Sequence, residues 1–189
     1  MNKIFLIIFL LFLIISAGYF AWPLWSAKET KPLEVTNANP ITGLAVRQAG
    51  LDLLGTDFVV PGVNIAVKLA TDIIDYKEGD NTGSVIYLPE HTIKVTVAGK
   101  DYIVAPIATN NGGTGTFVYL VLFEKNGNQF KQVDDEFLGD RIKIEKVETT
   151  GDKISATIYD RGTGEPYSAV PTVQKTLTYT IVGGALKLQ

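Results

Sequence analysis

Between Thr92 and Val97 every second residue is apolar (Ile93, Val95, Val97), the period of a strand with one buried face. Ala98-Gly99-Lys100-Asp101 reads as a turn and Tyr102–Ala108 as the returning strand. Thr116–Phe123 is apolar on both faces, which predicts a central strand, and Lys125-Asn126-Gly127-Asn128 closes it with an Asn-Gly turn signal. Ile142–Val147 and Ile154–Tyr159 flank a turn at Thr149-Thr150-Gly151-Asp152. Thr176–Val182 alternates at Leu177, Tyr179 and Ile181, then turns at Gly183-Gly184 into Ala185–Leu188. Val63–Tyr76 carries two periods: Val63, Ile65, Val67, Leu69 and Ile73 suit a strand, whereas Val63, Val67, Ala70 and Ile74 suit a helix. β-branching and the preceding Pro61-Gly62 favour the strand. The whole pattern predicts a mostly β fold, with one antiparallel β-rich domain over residues 41–189. A sandwich or a strongly curved sheet, with room for one short helix, fits it. Nothing repeats at 20–50 residues, which argues against a propeller or solenoid.

Ahead of that domain the texture changes. Ile4–Trp25 is a run of 22 residues without a charge; as a helix it is roughly 33 Å long, enough for a hydrocarbon core of about 30 Å. Lys3 precedes the run, and Tyr19, Trp22 and Trp25 supply interfacial rings at its far end. Residues 1–25 therefore predict a single-pass anchor in the cell membrane, with the N-terminus cytoplasmic and the rest of the chain extracytoplasmic. The rival is a signal peptide with its apolar stretch at Ile4–Ile15 and small residues at Ser16-Ala17-Gly18. Either reading sends the remainder across the membrane. Residues 26–40 are polar, contain Pro32 and Pro40, and predict a tether.

Removing residues 1–25 from the 189-residue chain leaves 16 basic against 20 acidic residues, with no basic stripe for nucleic acid. Cysteine is absent, which excludes disulfides, thiol catalysis, Cys-ligated metals and a lipid-bearing cysteine. His91 is the only histidine, so a multi-His metal centre is excluded; Ser84, Ser155 and Ser168 lack the G-x-S-x-G setting of a nucleophile elbow. Asp134-Asp135-Glu136 reads as a solvated turn, and Glu78-Gly79-Asp80-Asn81 lacks the alternating carboxylates of a calcium loop. Neither a metal nor a cofactor is expected.

Two constellations remain. Gly112, Gly113 and Gly115 raise the question of a phosphate-cradling loop, which needs converging N–H groups and normally a helix next. Here Thr116-Phe117 opens a strand instead, so the glycines are expected to serve chain geometry. The second constellation is Asp140-Arg141 and Asp160-Arg161, each at a strand end, with Glu165 close behind. Paired carboxyls can do acid–base work if their environments separate them, but neighbouring arginines hold carboxylates ionised. These five residues are candidates for a ligand-binding rim, or for ion pairs that fix loops.

The stretches NNGGTGTFVYLV, FLGDRI and YDRGTGEPYSAVPTV, in this order, resemble a family of uncharacterised bacterial envelope proteins whose pieces read approximately GGSGTF, LLGDRI and Y-DR-PGEP. More distantly the chain is similar to LppP/LprE-type putative lipoproteins. The resemblance spans about residues 61–175, and its matching positions are Gly112, Gly113, Gly115, Phe117, Gly139, Asp140, Arg141, Tyr159, Asp160, Arg161, Glu165 and Pro166. It implies an extracytoplasmic, β-rich domain. Many relatives carry an aspartate-rich stretch where this chain has Thr96–Asp101, so a cation site there is not expected. The expected function is a non-catalytic, membrane-anchored envelope protein that binds a protein partner or a cell-wall component, its partner an unknown envelope protein or a glycan. A carboxylate-dependent hydrolase and a structural accessory subunit of a membrane complex are the alternatives.

Overall fold

The computed structural model describes residues 51–189. The anchor and tether expected over residues 1–40, and the first ten residues of the expected domain, lie outside them. No helix among the described residues is long and apolar enough to cross a membrane.

The described chain is mostly β and its sheets are antiparallel. Twelve strands follow one another: β1 (Asp57–Val60), β2 (Ile65–Lys68), β3 (Ile73–Glu78), β4 (Asn81–Tyr87), β5 (Ile93–Val97), β6 (Lys100–Asn110), β7 (Phe117–Asn126), β8 (Gln129–Asp140), β9 (Lys143–Thr150), β10 (Lys153–Asp160), β11 (Val173–Val182) and β12 (Ala185–Leu188). The only helical element described is a 3₁₀ turn at Pro89–His91. The strands form three sheets: β1-β2, β12-β11-β10-β9, and a six-stranded sheet ordered β3-β4-β6-β7-β8 with β5 also on β6.

The six-stranded sheet is the middle layer, and alternation along β6 and β7 shows why. Val104, Val118, Leu120 and Leu122 pack toward Ile154, Ala156, Ile158, Tyr179 and Leu186 of the four-stranded sheet. Ile103, Ala105, Ile107, Val121 and Phe123 point the other way, against Phe58, Val60, Ile65 and Val67 of the β1-β2 hairpin. A strand clothed on both faces has no room for polar positions, hence the continuous apolar run at β7. Each fully buried Leu, Ile or Phe here contributes about 1.5–3 kcal/mol of transfer free energy.

Pro106 sits inside β6 without cost for a local reason. Its edge of β6 is shared: β5 pairs with Lys100–Val104 and β4 with Ile107–Asn110, leaving a gap at residues 105–106. The Pro106 carbonyl accepts from Leu88 N–H there (3.3 Å), so the missing N–H also faces the gap and not a strand.

Turn chemistry fixes the registers. Ala98 and Gly99 have φ of 50° and 78°, and Gly183 and Gly184 have 62° and 83°, the positive pair that a two-residue hairpin of matching twist requires. Three details depart from the sequence reading. Lys100, Asp101, Thr149 and Thr150 belong to strands, not turns. Val63–Tyr76 forms β2 and β3 rather than one element, so the strand preference holds in two pieces. Asp134-Asp135-Glu136 is not a solvated turn: it lies in β8, partly buried, at one end of the sheet order. Adjacent side chains on a strand point opposite ways, and this pair uses both. Asp134 accepts from Leu186 N–H of β12 (2.6 Å), while Asp135 accepts from Gln132 (3.2 Å). Gln132 in turn places its carboxamide against both the N–H (2.8 Å) and C=O (3.4 Å) of Val59, standing in for a neighbouring strand on β1.

Candidate functional site

The loop after β6 is organised by one side chain. Asn110 donates to the carbonyls of Gly113 (3.0 Å) and Gly115 (2.8 Å) and accepts from Gly112 N–H (2.9 Å). A third carbonyl, that of Thr114, takes Arg141 Nε (3.0 Å) and Nη2 (2.6 Å). The loop therefore turns carbonyl oxygens toward its donors, the reverse of a nest of N–H groups around an anion. Gly112, with φ of 82°, would bring a Cβ to 2.8 Å from the Thr82 carbonyl, so its glycine answers to close packing as well as to backbone conformation. The glycines shape the entry to β7.

That loop meets the first Asp-Arg pair. Asp140 ends β8 opposite Phe117 and accepts from Thr116 N–H (3.0 Å), with Arg141 Nη1 3.3 Å from its second oxygen. Arg141 has a left-handed backbone (φ 51°), which costs a non-glycine roughly 1–2 kcal/mol. Its N–H to Thr116 O (2.6 Å) and its guanidinium on Thr114 hold it there.

The second pair arrives from β10 on the other sheet and locks onto the first. Arg161 donates Nη1 to Asp140 O (2.9 Å), Nη2 to Arg141 O (3.1 Å) and Nε to Ala169 O (3.1 Å). One planar fork thus ties β8, its following turn and the 161–172 loop together. Asp160 accepts from Arg161 N–H (2.7 Å) and from Lys175 of β11 (2.8 Å). The Lys175 hydrogen bond, supported by the Arg161 N–H and both positive charges, holds the Asp160 carboxyl below the usual range against a smaller opposing effect of burial. Glu165 accepts from Gly162 N–H (2.7 Å), closing a tight turn.

The five candidate residues thus fall in one cluster, joined by the glycine loop. Between them lies an open depression of about 500 Å³, lined by Asp140, Asp160, Arg161 and Glu165 together with Phe117, Phe137 and Tyr167. Nothing in the sequence beyond their position marks the two exposed rings as site residues. Phe137 is 52% exposed and Tyr167 68% exposed, and each lies inside a motif stretch, Phe137 opening FLGDRI and Tyr167 within YDRGTGEPYSAVPTV, which is the only signal that could have found them. Phe137 is braced by Tyr119 (5.4 Å between centroids) and Phe117 (6.4 Å). Tyr167 lies under the guanidiniums of Arg141 (5.3 Å) and Arg161 (5.6 Å). Asn110 opens the stretch NNGGTGTFVYLV, whereas Lys175 carries no local signal.

The other candidates do not join this cluster. His91, in the 3₁₀ turn, has its pKa lowered by burial against the weaker pull of Glu90 at 3.8 Å, and no hydrogen bond links it to Ser84, Ser155 or Ser168. Glu78 and Asn81 close the β3-β4 hairpin. Among the described residues no group of three or more His, Cys, Asp or Glu is placed to hold a metal ion.

No family model, no curated protein and no solved structure matches this chain.

Proposed function

We propose that this chain is a non-catalytic, membrane-anchored protein of the bacterial envelope. Residues 4–25 hold it in the cell membrane with the N-terminus cytoplasmic, and the β domain stands outside and binds a protein partner or a wall component. The carrying observation is the convergence of Asp140, Asp160, Arg161 and Glu165 on one depression, with Arg141 paired to Asp140 and the cations already assigned to structural partners. The uncharged N-terminal run and the polar tether supply the address. A hydrolase would need one of these carboxyls to retain a proton near neutrality. Lys175 draws Asp160 the opposite way, which supports a binding rim over acid–base work.

The address is tested by adding protease to intact spheroplasts. The expected result is cleavage within residues 26–40 and release of the β domain, with the anchor left in the membrane pellet. A chain protected until lysis, or recovered uncleaved in the soluble fraction, contradicts it.

A further inference from the structure

We infer that the depression between Phe137 and Tyr167 binds an uncharged saccharide, stacked on the two exposed rings and hydrogen-bonded to Glu165. The inference rests on the binding-rim reading above and names its ligand class.

Charge comes first. Asp140, Asp160, Glu165 and Arg161 line the depression, and Arg141 on Asp140 and Lys175 on Asp160 bring the cluster as a whole to three acids against three bases. The arginines are also committed. Arg161 uses Nε and both terminal nitrogens on backbone carbonyls, and Arg141 uses its three on Thr114 and Asp140. No guanidinium fork is presented to a phosphate or carboxylate, which argues against a polyanion. A cationic ligand fares no better, because Asp160 already carries Lys175, Asp140 carries Arg141, and the two guanidiniums beside Tyr167 repel a further positive charge.

What the depression offers is apolar faces and acceptors. Phe137 is held at its position by Phe117 and Tyr119, so presenting its ring costs little further entropy. Glu165 engages Gly162 N–H through Oε2, and among the described residues neither its Oε1 nor the Tyr167 hydroxyl has a hydrogen-bond partner. A pyranose matches this set: its C–H face packs on an aromatic ring and its hydroxyls donate to a carboxylate. The volume of about 500 Å³ and the open shape suit one or two rings of a chain that continues past the site.

The test is titration calorimetry on the full chain in nanodiscs, free of sugar-based detergents, with chitotetraose and cellotetraose as probes and polyphosphate and polylysine as charged comparators. At least one tetrasaccharide is expected to bind. Phe137→Ala and Tyr167→Ala should each weaken it by about tenfold, roughly 1.4 kcal/mol, with melting temperatures near wild type because both rings are exposed. Glu165→Gln should weaken it by less while leaving the stacking intact. Absence of binding by both sugars up to about 10 mM, binding unmoved by either ring substitution, or preference for a charged comparator would each overturn the assignment. If insoluble wall material or a cross-linked membrane protein still protects this face while neither sugar binds, the saccharide assignment fails and the binding rim stands. If nothing protects the face, both fail.

Discussion

Replacing Arg161 with alanine removes the one side chain that ties β8, the turn after it and the 161–172 loop into a single unit. Three hydrogen bonds go, to Asp140 O, Arg141 O and Ala169 O. A hydrogen bond to a charged group contributes about 1.5–3 kcal/mol when well shielded. This guanidinium is only partly buried and the freed carbonyls regain some water, so about 1 kcal/mol per bond and about 3 kcal/mol in total is the reasoned loss. For a domain of this size that lowers the melting temperature by roughly 9 °C. Arg161→Lys keeps the charge but replaces a planar fork with a point donor that cannot reach all three carbonyls. It should recover about a third of the loss. Thermal unfolding followed by circular dichroism reads both variants, and hydrogen exchange adds location. The amides of Arg141, Ala169 and Thr172, which donate to Thr116, Pro166 and Asp160 carbonyls, should lose protection first. A fall below about 2 °C for the alanine variant, or wild-type behaviour of the lysine variant, would refute the latch.

Two acids should give pH effects of opposite sign. Asp160 is depressed by Lys175, so its stabilisation is complete above the unfolded carboxyl range and fades as pH falls through the folded value; Asp160→Asn should melt lower at pH 7 and converge on wild type in acid. Asp135 is raised by burial, with Asp134 adding to the shift and Gln132 opposing it, so the fold favours its protonated form and loses stability as pH rises through the raised value. Asp135→Asn should therefore melt higher at pH 7, with no difference in acid. Among the glycines, Gly83→Ala puts a Cβ 2.1 Å from the Asn110 carbonyl and 2.4 Å from the Tyr76 hydroxyl, and should cost about 3 kcal/mol. Gly113→Ala meets nothing within 4 Å and should fall within about 0.5 kcal/mol of wild type, as a glycine outside any anion cradle would.

What could be read from the sequence follows from how locally each feature is encoded. β7 is legible because a strand buried on both faces must be apolar at every position, and the hairpin turns because positive φ selects glycine. β8 was hidden by its place at the end of the sheet order, where charged residues replace the apolar alternation that marks a strand. β1 and β4 are short or open with polar and glycine residues, and neither carries a signal of its own. The Asp-Arg pairs were visible as strand ends, and their meeting was not. Arg161 reaches Asp140 across 21 positions and Lys175 reaches Asp160 across 15, through strand order that no local pattern states. Phe137 and Tyr167 looked like ordinary aromatics because exposure is a tertiary property.

The most direct measurement is hydrogen exchange on the full chain in nanodiscs, with and without purified envelope material from its own cells. Added protection is expected only in the glycine loop at residues 112–116, the β8 end at 137–141 and the loop at 160–169. Protection elsewhere, for instance in the polar groove beside the β7-β8 turn around Asn128 and Lys131, or none anywhere, would contradict it.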